Sequence, residues 1–163
     1  MGWLEGHIFR ETAIRGGADT VRLTPVVGDL GRGLGARRQR KSGRAMTLGR
    51  DCGLSSPRLR DALLEGLVDS GCEVTDIGVV PTPLLYFSAV HLEADGAVMI
   101  TGSHNPSEFN GFKTVCGAGT LHGDTIQEVR PIIEARDFLH GLGSHDDMDV
   151  IPAYLDPVAP QFE

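Results

Sequence analysis

The sequence predicts an α/β domain built on a mainly parallel sheet. Between residues 45 and 100, short apolar runs of strand length alternate with longer segments of helical period, in the order strand, helix, strand, helix, strand. That order sets parallel strands side by side through right-handed crossovers. The runs are punctuated by glycine and proline, and the 22 glycines suit the tight turns and close backbone approaches found at the strand ends of such domains. The 163 residues are enough for about one ordinary domain with a single core.

Bulk properties narrow the function. An apolar content of 40% with 23% charged residues is ordinary for a soluble globular chain. No apolar run approaches the ~20 residues that span a bilayer. The first seven residues lack a basic region followed by an apolar core, so no secretory signal is expected and the cytoplasm is the expected compartment. A net charge of −7 argues against a nucleic-acid partner for the surface as a whole. Cys52, Cys72 and Cys116 are odd in number and widely spaced, which suits idle or buried thiols rather than a disulfide framework or a thiolate zinc site.

The chain opens with a short apolar segment around Ile8 and Phe9 that breaks at Gly16-Gly17, with Arg10 and Arg15 on either side of Ile14. Two arginines beside a glycine turn can form an anion site; two solvated side chains is the simpler local reading. Thr24 and Pro25 look like a helix N-cap and first turn. Val26, Val27, Leu30 and Leu34 continue as an apolar stripe, although Gly28, Gly31, Gly33 and Gly35 weaken it by about 1 kcal/mol each. Gly31-x-Gly33 is not a dinucleotide fingerprint, because no strand precedes it. The basic run Arg37, Arg38, Arg40 and Lys41, with Arg32 and Arg44, reads as a solvated helix end followed by a loop, with contact to an acidic partner as the lesser alternative.

Residues 45–50 form the next predicted strand, and residues 51–56 a loop. A helix follows from Ser56-Pro57 to about Ser70, with Leu59, Leu63, Leu64, Leu67 and Val68 as its apolar face and Gly71 as its stop. Residues 72–77 are a strand that stops at Gly78. Pro81-Thr82-Pro83 leads into an apolar helix to about Leu92, and the buried strand 97–100 comes next. Sites in parallel sheets gather at the carboxyl ends of strands. Gly49-Arg50-Asp51, Gly78 and Ser103 all fall at such ends and are expected on one rim. After a strand at about 111–115, a helix is expected from about 123 to 138, bent or divided at Pro131. Residues 141–149 read as a flexible acidic linker. Its His145, Asp146, Asp147 and Asp149 lack the rigid scaffold that a metal site needs.

Thr101-Gly-Ser-His-Asn-Pro106 interrupts two strands. A serine delivered by a buried strand into a loop bounded by glycine and proline is fixed in place with its hydroxyl accessible, which suits a nucleophile or a covalent phosphate carrier. A plain turn is the alternative from the residues alone. A serine hydrolase has little support, because no Gly-x-Ser-x-Gly elbow is present and His104 is adjacent in sequence rather than a distant triad partner.

Several motifs in order resemble the α-D-phosphohexomutases, within them the phosphomannomutase/phosphoglucomutase group. They are Ile8-Phe-Arg with Ile14-Arg15-Gly16, Gly49-Arg50-Asp51, Gly78-Val-Val-Pro-Thr-Pro83, and above all Thr101-Gly-Ser-His-Asn-Pro106 with Asn110-Gly-Phe-Lys113. The resemblance runs from about His7 to Leu155. It implies a three-layer α/β/α domain with a mixed sheet, of the type of the first phosphohexomutase domain. It implies that Ser103 carries a phosphate, gives it to a hexose 1- or 6-phosphate, and takes the other phosphate back from the bisphosphorylated sugar. It implies Mg²⁺ held by the phosphoserine oxygen together with aspartates of a following domain. His104 would aid proton transfer, Arg15 and Lys113 would neutralise phosphate or hold substrate hydroxyls, and Asn105 would fix the loop.

The chain departs from the family pattern in two ways. Thr12-Ala13 stand where the family usually has Tyr-Asp, and the metal, sugar and C-terminal phosphate loops of the later domains are not found. The expected organisation is residues 1–142 as the phosphoserine domain and 143–163 as a linker and the start of a second domain. On that expectation the chain alone turns over sugar phosphate poorly or not at all, and apolar surface left uncovered drives self-association. A non-catalytic phosphate- or partner-binding module on the same fold is the alternative.

Overall fold

A computed structural model gives the structure of the chain and describes residues 14–17, 23–116, 119–120 and 123–162. The elements in order are β1 (Ile14–Gly17), α1 (Leu23–Arg40), β2 (Ala45–Arg50), α2 (Ser56–Asp69), β3 (Glu73–Val79), α3 (Thr82–His91), β4 (Gly96–Ile100), β5 (Phe109–Cys116), β6 (Gly119–Thr120), α4 (Gly123–Glu134), β7 (Ser144–Asp147) and α5 (Ile151–Val158). A 3₁₀ turn, Ala159–Phe162, follows. The expected segment around Ile8, Phe9 and Arg10, and the Thr12-Ala13 departure, lie outside the described residues.

The strands form one mixed sheet in the order β1-β5-β4-β2-β3-β7, with β6 added to β5. β2 runs parallel to both β3 and β4, and β3 parallel to β7. β5 is antiparallel to β4, and β1 antiparallel to β5. The fold class is therefore the expected one, with parallel strands in the middle and an antiparallel flank. The central strand β4 is buried at every residue, as a strand covered on both faces must be.

Period-2 alternation divides the core in two. Met46, Leu48, Val74, Val98, Ile100 and Phe112 face a layer built from Leu30 and Leu34 of α1, Leu59, Leu63 and Leu67 of α2, and Val129 and Ile133 of α4. Ala97, Met99 and Val115 face the other way, against Leu84, Leu85 and Ala89 of α3 and Val150 at the start of α5. Tyr154 of α5 closes that face, set edge-on to Phe87 with ring centroids 5.3 Å apart. Each such fully buried leucine contributes about 2 kcal/mol by leaving water, so the core fixes which face of every element turns inward.

Three expectations are corrected. The basic run at the end of α1 is not simply solvated: Arg37 is 7% exposed, and its Nε donates to Glu128 Oε2 of α4 at 2.8 Å. α4 ends at Glu134, short of the expected 138. It carries Pro131 inside, and the chain turns away through Arg136 at φ 51°. The acidic stretch 141–149 is not a free linker, because Ser144–Asp147 is an edge strand whose side chains are exposed and whose backbone is held in register by β3. Neither hydrophobicity nor alternation marks such a strand.

Candidate active site at the carboxyl ends of the strands

The parallel strands bring their carboxyl ends to one edge. Asp51, just past β2, donates its backbone N–H to Ile100 O at the end of β4, at 2.9 Å. Val80, just past β3, donates to Arg50 O at 3.0 Å. The expectation that Gly49-Arg50-Asp51, Gly78 and the serine loop share a rim is met. Thr101 N–H bonds Gly111 O at 2.9 Å, so the β4–β5 ladder runs one step into the loop before the chain leaves the sheet.

The loop is short and tied to itself. Asn105 N–H bonds Gly102 O at 3.1 Å, and Phe109 N–H bonds Pro106 O at 2.9 Å. Gly102 has no room for a side chain, because a Cβ there would sit 2.9 Å from Phe109 O. Ser103 takes the left-handed conformation, φ 56°, which costs a residue with a Cβ about 1–3 kcal/mol. Its N–H bonds Thr101 Oγ1 at 2.9 Å. Ser103 and His104 are both exposed, with Ser103 Oγ 3.2 Å from His104 Nδ1. In the tautomer with its proton on Nε2, His104 accepts from the serine hydroxyl at Nδ1. The serine is thus a fixed, solvent-facing hydroxyl with a proton acceptor beside it.

Beneath the loop lies a polar network. Asp51 Oδ2 accepts from Gly102 N–H at 3.1 Å, while Oδ1 accepts from Gly53 N–H at 2.9 Å and from the Ser56 hydroxyl. Burial pushes the Asp51 carboxyl up, but hydrogen bonds from Ser56, Gly53, Thr101 and Gly102 outweigh it and hold the group below the usual carboxylate range. The Asn110 amide donates to Ser55 Oγ at 2.9 Å and Ser56 Oγ at 3.0 Å, and its carbonyl oxygen accepts from Gly111 N–H at 2.8 Å. The start of α2, the end of β2, the loop and the start of β5 are therefore one bonded unit. The sequence marks Asp51 and Asn110 only as motif members, and marks Ser55 and Ser56 only as a loop and helix start. The one local signal was Asp51-x-Gly53, the spacing at which an aspartate bonds its own backbone two residues on.

The other predicted site residues fall around this unit. Arg15 lies on β1, opposite Gly111 of β5. Lys113 lies two residues along β5 from Gly111, opposite Met99. Lys113 is half-buried, alternates with Phe112 onto the α3 side of the sheet, and its amine makes no ion pair with a described residue. Asn105 contributes its backbone to the loop. The structure thus joins Ser103 and His104 directly, sets Lys113 on β5, which leaves the loop, and sets Arg15 on β1, the next strand of the sheet.

Asp76, His145 and Asp147 bring three ligand-type groups within 4.8 Å of one another, away from the serine loop. Arg60 already occupies that cluster. Its Nε donates to Asp76 Oδ2, and its NH2 lies 3.3 Å from His145 Nε2 and 3.6 Å from Asp147 Oδ1. The guanidinium pairs with these carboxylates and ties β7 to α2.

Known proteins share the fold. Residues 6–140 match the family model described as phosphoglucomutase/phosphomannomutase, alpha/beta/alpha domain I. The chain belongs to the phosphoglucomutase/phosphomannomutase family. It is 41% identical over 152 residues to a phosphomannomutase/phosphoglucomutase of Pseudomonas aeruginosa, covering 93% of this chain and 33% of that protein. To a phosphoglucomutase of Neisseria gonorrhoeae it is 40% identical over 160 residues, covering 97% and 35%. Among solved structures, a phosphoglucomutase/phosphomannomutase family protein from Burkholderia thailandensis superposes with a TM-score of 0.88 at 35% identity, over 94% of this chain and 35% of that one. The chain therefore spans about a third of the length of the phosphoglucomutase/phosphomannomutase relatives it matches, and the part matched is their domain I.

Proposed function

We propose that this chain is the phosphoserine-bearing domain of a phosphohexomutase that interconverts hexose 1-phosphate and hexose 6-phosphate through a bisphosphorylated sugar. The observation that carries the reading is Ser103 itself: exposed, held left-handed at the end of a buried strand, with His104 Nδ1 at 3.2 Å. Ser103 Oγ attacks phosphorus of the sugar bisphosphate. The new O–P bond forms as the bond from phosphorus to the sugar oxygen breaks, and the hydroxyl proton passes to His104 and on to that oxygen. Arg15 and Lys113 offset the charge of the phosphoryl group or hold sugar hydroxyls, and Asn105 keeps the loop closed.

Mg²⁺ fits this chain only in part. Both Asp51 oxygens are taken by protein donors, which leaves Ser103 as the loop's contribution, through its phosphate. The ion would neutralise charge on the transferring group, with further ligands from outside residues 1–163. Residues 143–163 we read as the lead into a second domain, with β7 still paired to the first. No described helix is long and apolar enough to cross a membrane; the cytoplasm is the compartment we propose.

The test is phosphate uptake from glucose 1,6-bisphosphate with Mg²⁺, followed by intact-mass analysis and site mapping. One phosphoryl group on Ser103, and none in Ser103→Ala, is expected; an unmodified chain overturns the reading. Turnover of hexose phosphate by the chain alone is expected to be negligible, and robust mutase activity would contradict that.

A further inference from the structure

We propose that Asp51 is the positioning residue of the serine loop: its carboxylate holds the backbone that presents Ser103 and thereby sets how fast the serine takes up phosphate. The inference rests on the phosphoryl-carrier reading above and deepens it. Asp51 is anchored to the strand that delivers the loop, through its N–H to Ile100 O at 2.9 Å. Its carboxylate then reaches forward to Gly102 N–H at 3.1 Å, one residue before the serine. The next amide is held separately, because Ser103 N–H donates to Thr101 Oγ1 at 2.9 Å. Asp51 thus secures the amide before the left-handed turn at Ser103, and the Thr101 hydroxyl secures the amide within it.

The donor set explains why the residue is an aspartate. Gly102 N–H, Gly53 N–H and the Ser56 hydroxyl all donate to it, so only an acceptor-only group satisfies them together. An asparagine of the same shape would turn an NH₂ toward at least one of them. Asp51 belongs to neither apolar cluster, so exchanging its oxygen for nitrogen opens no cavity in the core.

Two isosteric variants of the full chain test this, Asp51→Asn and Thr101→Val, with Thr101→Ser as the conservative control. Amide exchange by NMR is read at Gly102 and Ser103 and, as an internal reference, at Val98 and Met99 of β4. Losing a charge-assisted hydrogen bond is expected to speed exchange at Gly102 on the order of tenfold in Asp51→Asn. In Thr101→Val only Ser103 should respond, and Thr101→Ser should match wild type. Uptake of phosphate from glucose 1,6-bisphosphate is expected to fall in step. Unchanged exchange at Gly102 in Asp51→Asn, an equal rise at Val98 and Met99, or unchanged uptake beside altered exchange overturns the proposal. Should wild type take up no phosphate, the carrier reading fails by itself, and exchange alone decides whether Asp51 holds the loop.

Discussion

Asn110 is 3% exposed, and both ends of its amide are engaged. Replacing it with alanine leaves Gly111 N–H without this acceptor and removes the NH₂ donor from the Ser55 and Ser56 oxygens. Asn110→Ala is expected to lose about 2 kcal/mol or more, read as a lower urea midpoint at unchanged slope. Asn110→Asp is expected to lose stability too, because a carboxylate cannot donate to the two serines. The asparagine was visible as part of a motif, but its task was not. Its partners lie 54 and 55 positions earlier, and no local pattern encodes a bond of that span. Ser103 was the opposite case: a buried strand running into glycine, serine and proline announces itself locally, so the exposed hydroxyl of the loop was readable while the groups that hold the loop were not.

At the scale of elements, the glycines that weakened the reading of α1 turn out to explain its packing. Gly31 and Gly66 let α1 and α2 approach until a Cβ at Gly66 would stand 2.1 Å from Gly28 O, and one at Gly31 would stand 2.5 Å from Leu63 O. Helix propensity alone says Gly66→Ala gains about 1 kcal/mol. The contact reverses that sign, and a net loss of about 1–3 kcal/mol is expected by denaturant titration. The pair between α1 and α4 gives a pH prediction. The hydrogen bond from Arg37 is the main cause that lowers the Glu128 carboxyl, with partial desolvation opposing it. A carboxyl lowered on folding adds stability above its unfolded value, about 4.3, and loses it as pH falls through the lower folded value. Glu128→Gln should therefore flatten the acid limb of the stability curve below about pH 4 and leave its shape near neutrality unchanged. Strand and helix order was legible because burial on two faces imposes period and length on the sequence. β7 was not, since backbone register and Arg60 hold it in place of an apolar face.

At the scale of the molecule, large apolar side chains stand in water: Leu54 at 95%, Leu142 at 96%, Phe162 at 86% and Val90 at 75% exposed. They lie in the loop after β2, the segment before β7, the C-terminal turn and α3. Weak, concentration-dependent self-association is expected. Sedimentation velocity checks it: the weight-average coefficient should rise with loading and fall back in Leu142→Ser or Phe162→Ser. A concentration-independent monomer contradicts the expectation.

The order in which the chain is made has a bearing on the loop. Asp51, Ser55, Ser56, Thr101 and Asn110 all precede α4, β7 and α5 in the sequence. The antiparallel β4–β5 connection is a local hairpin and closes cheaply, whereas β7 must find β3 from much farther along the chain. A growing polypeptide can therefore fold the Ser103 loop while the last third is still being synthesised. Ribosome-arrested chains ending soon after β5 has emerged should already resist protease within the loop.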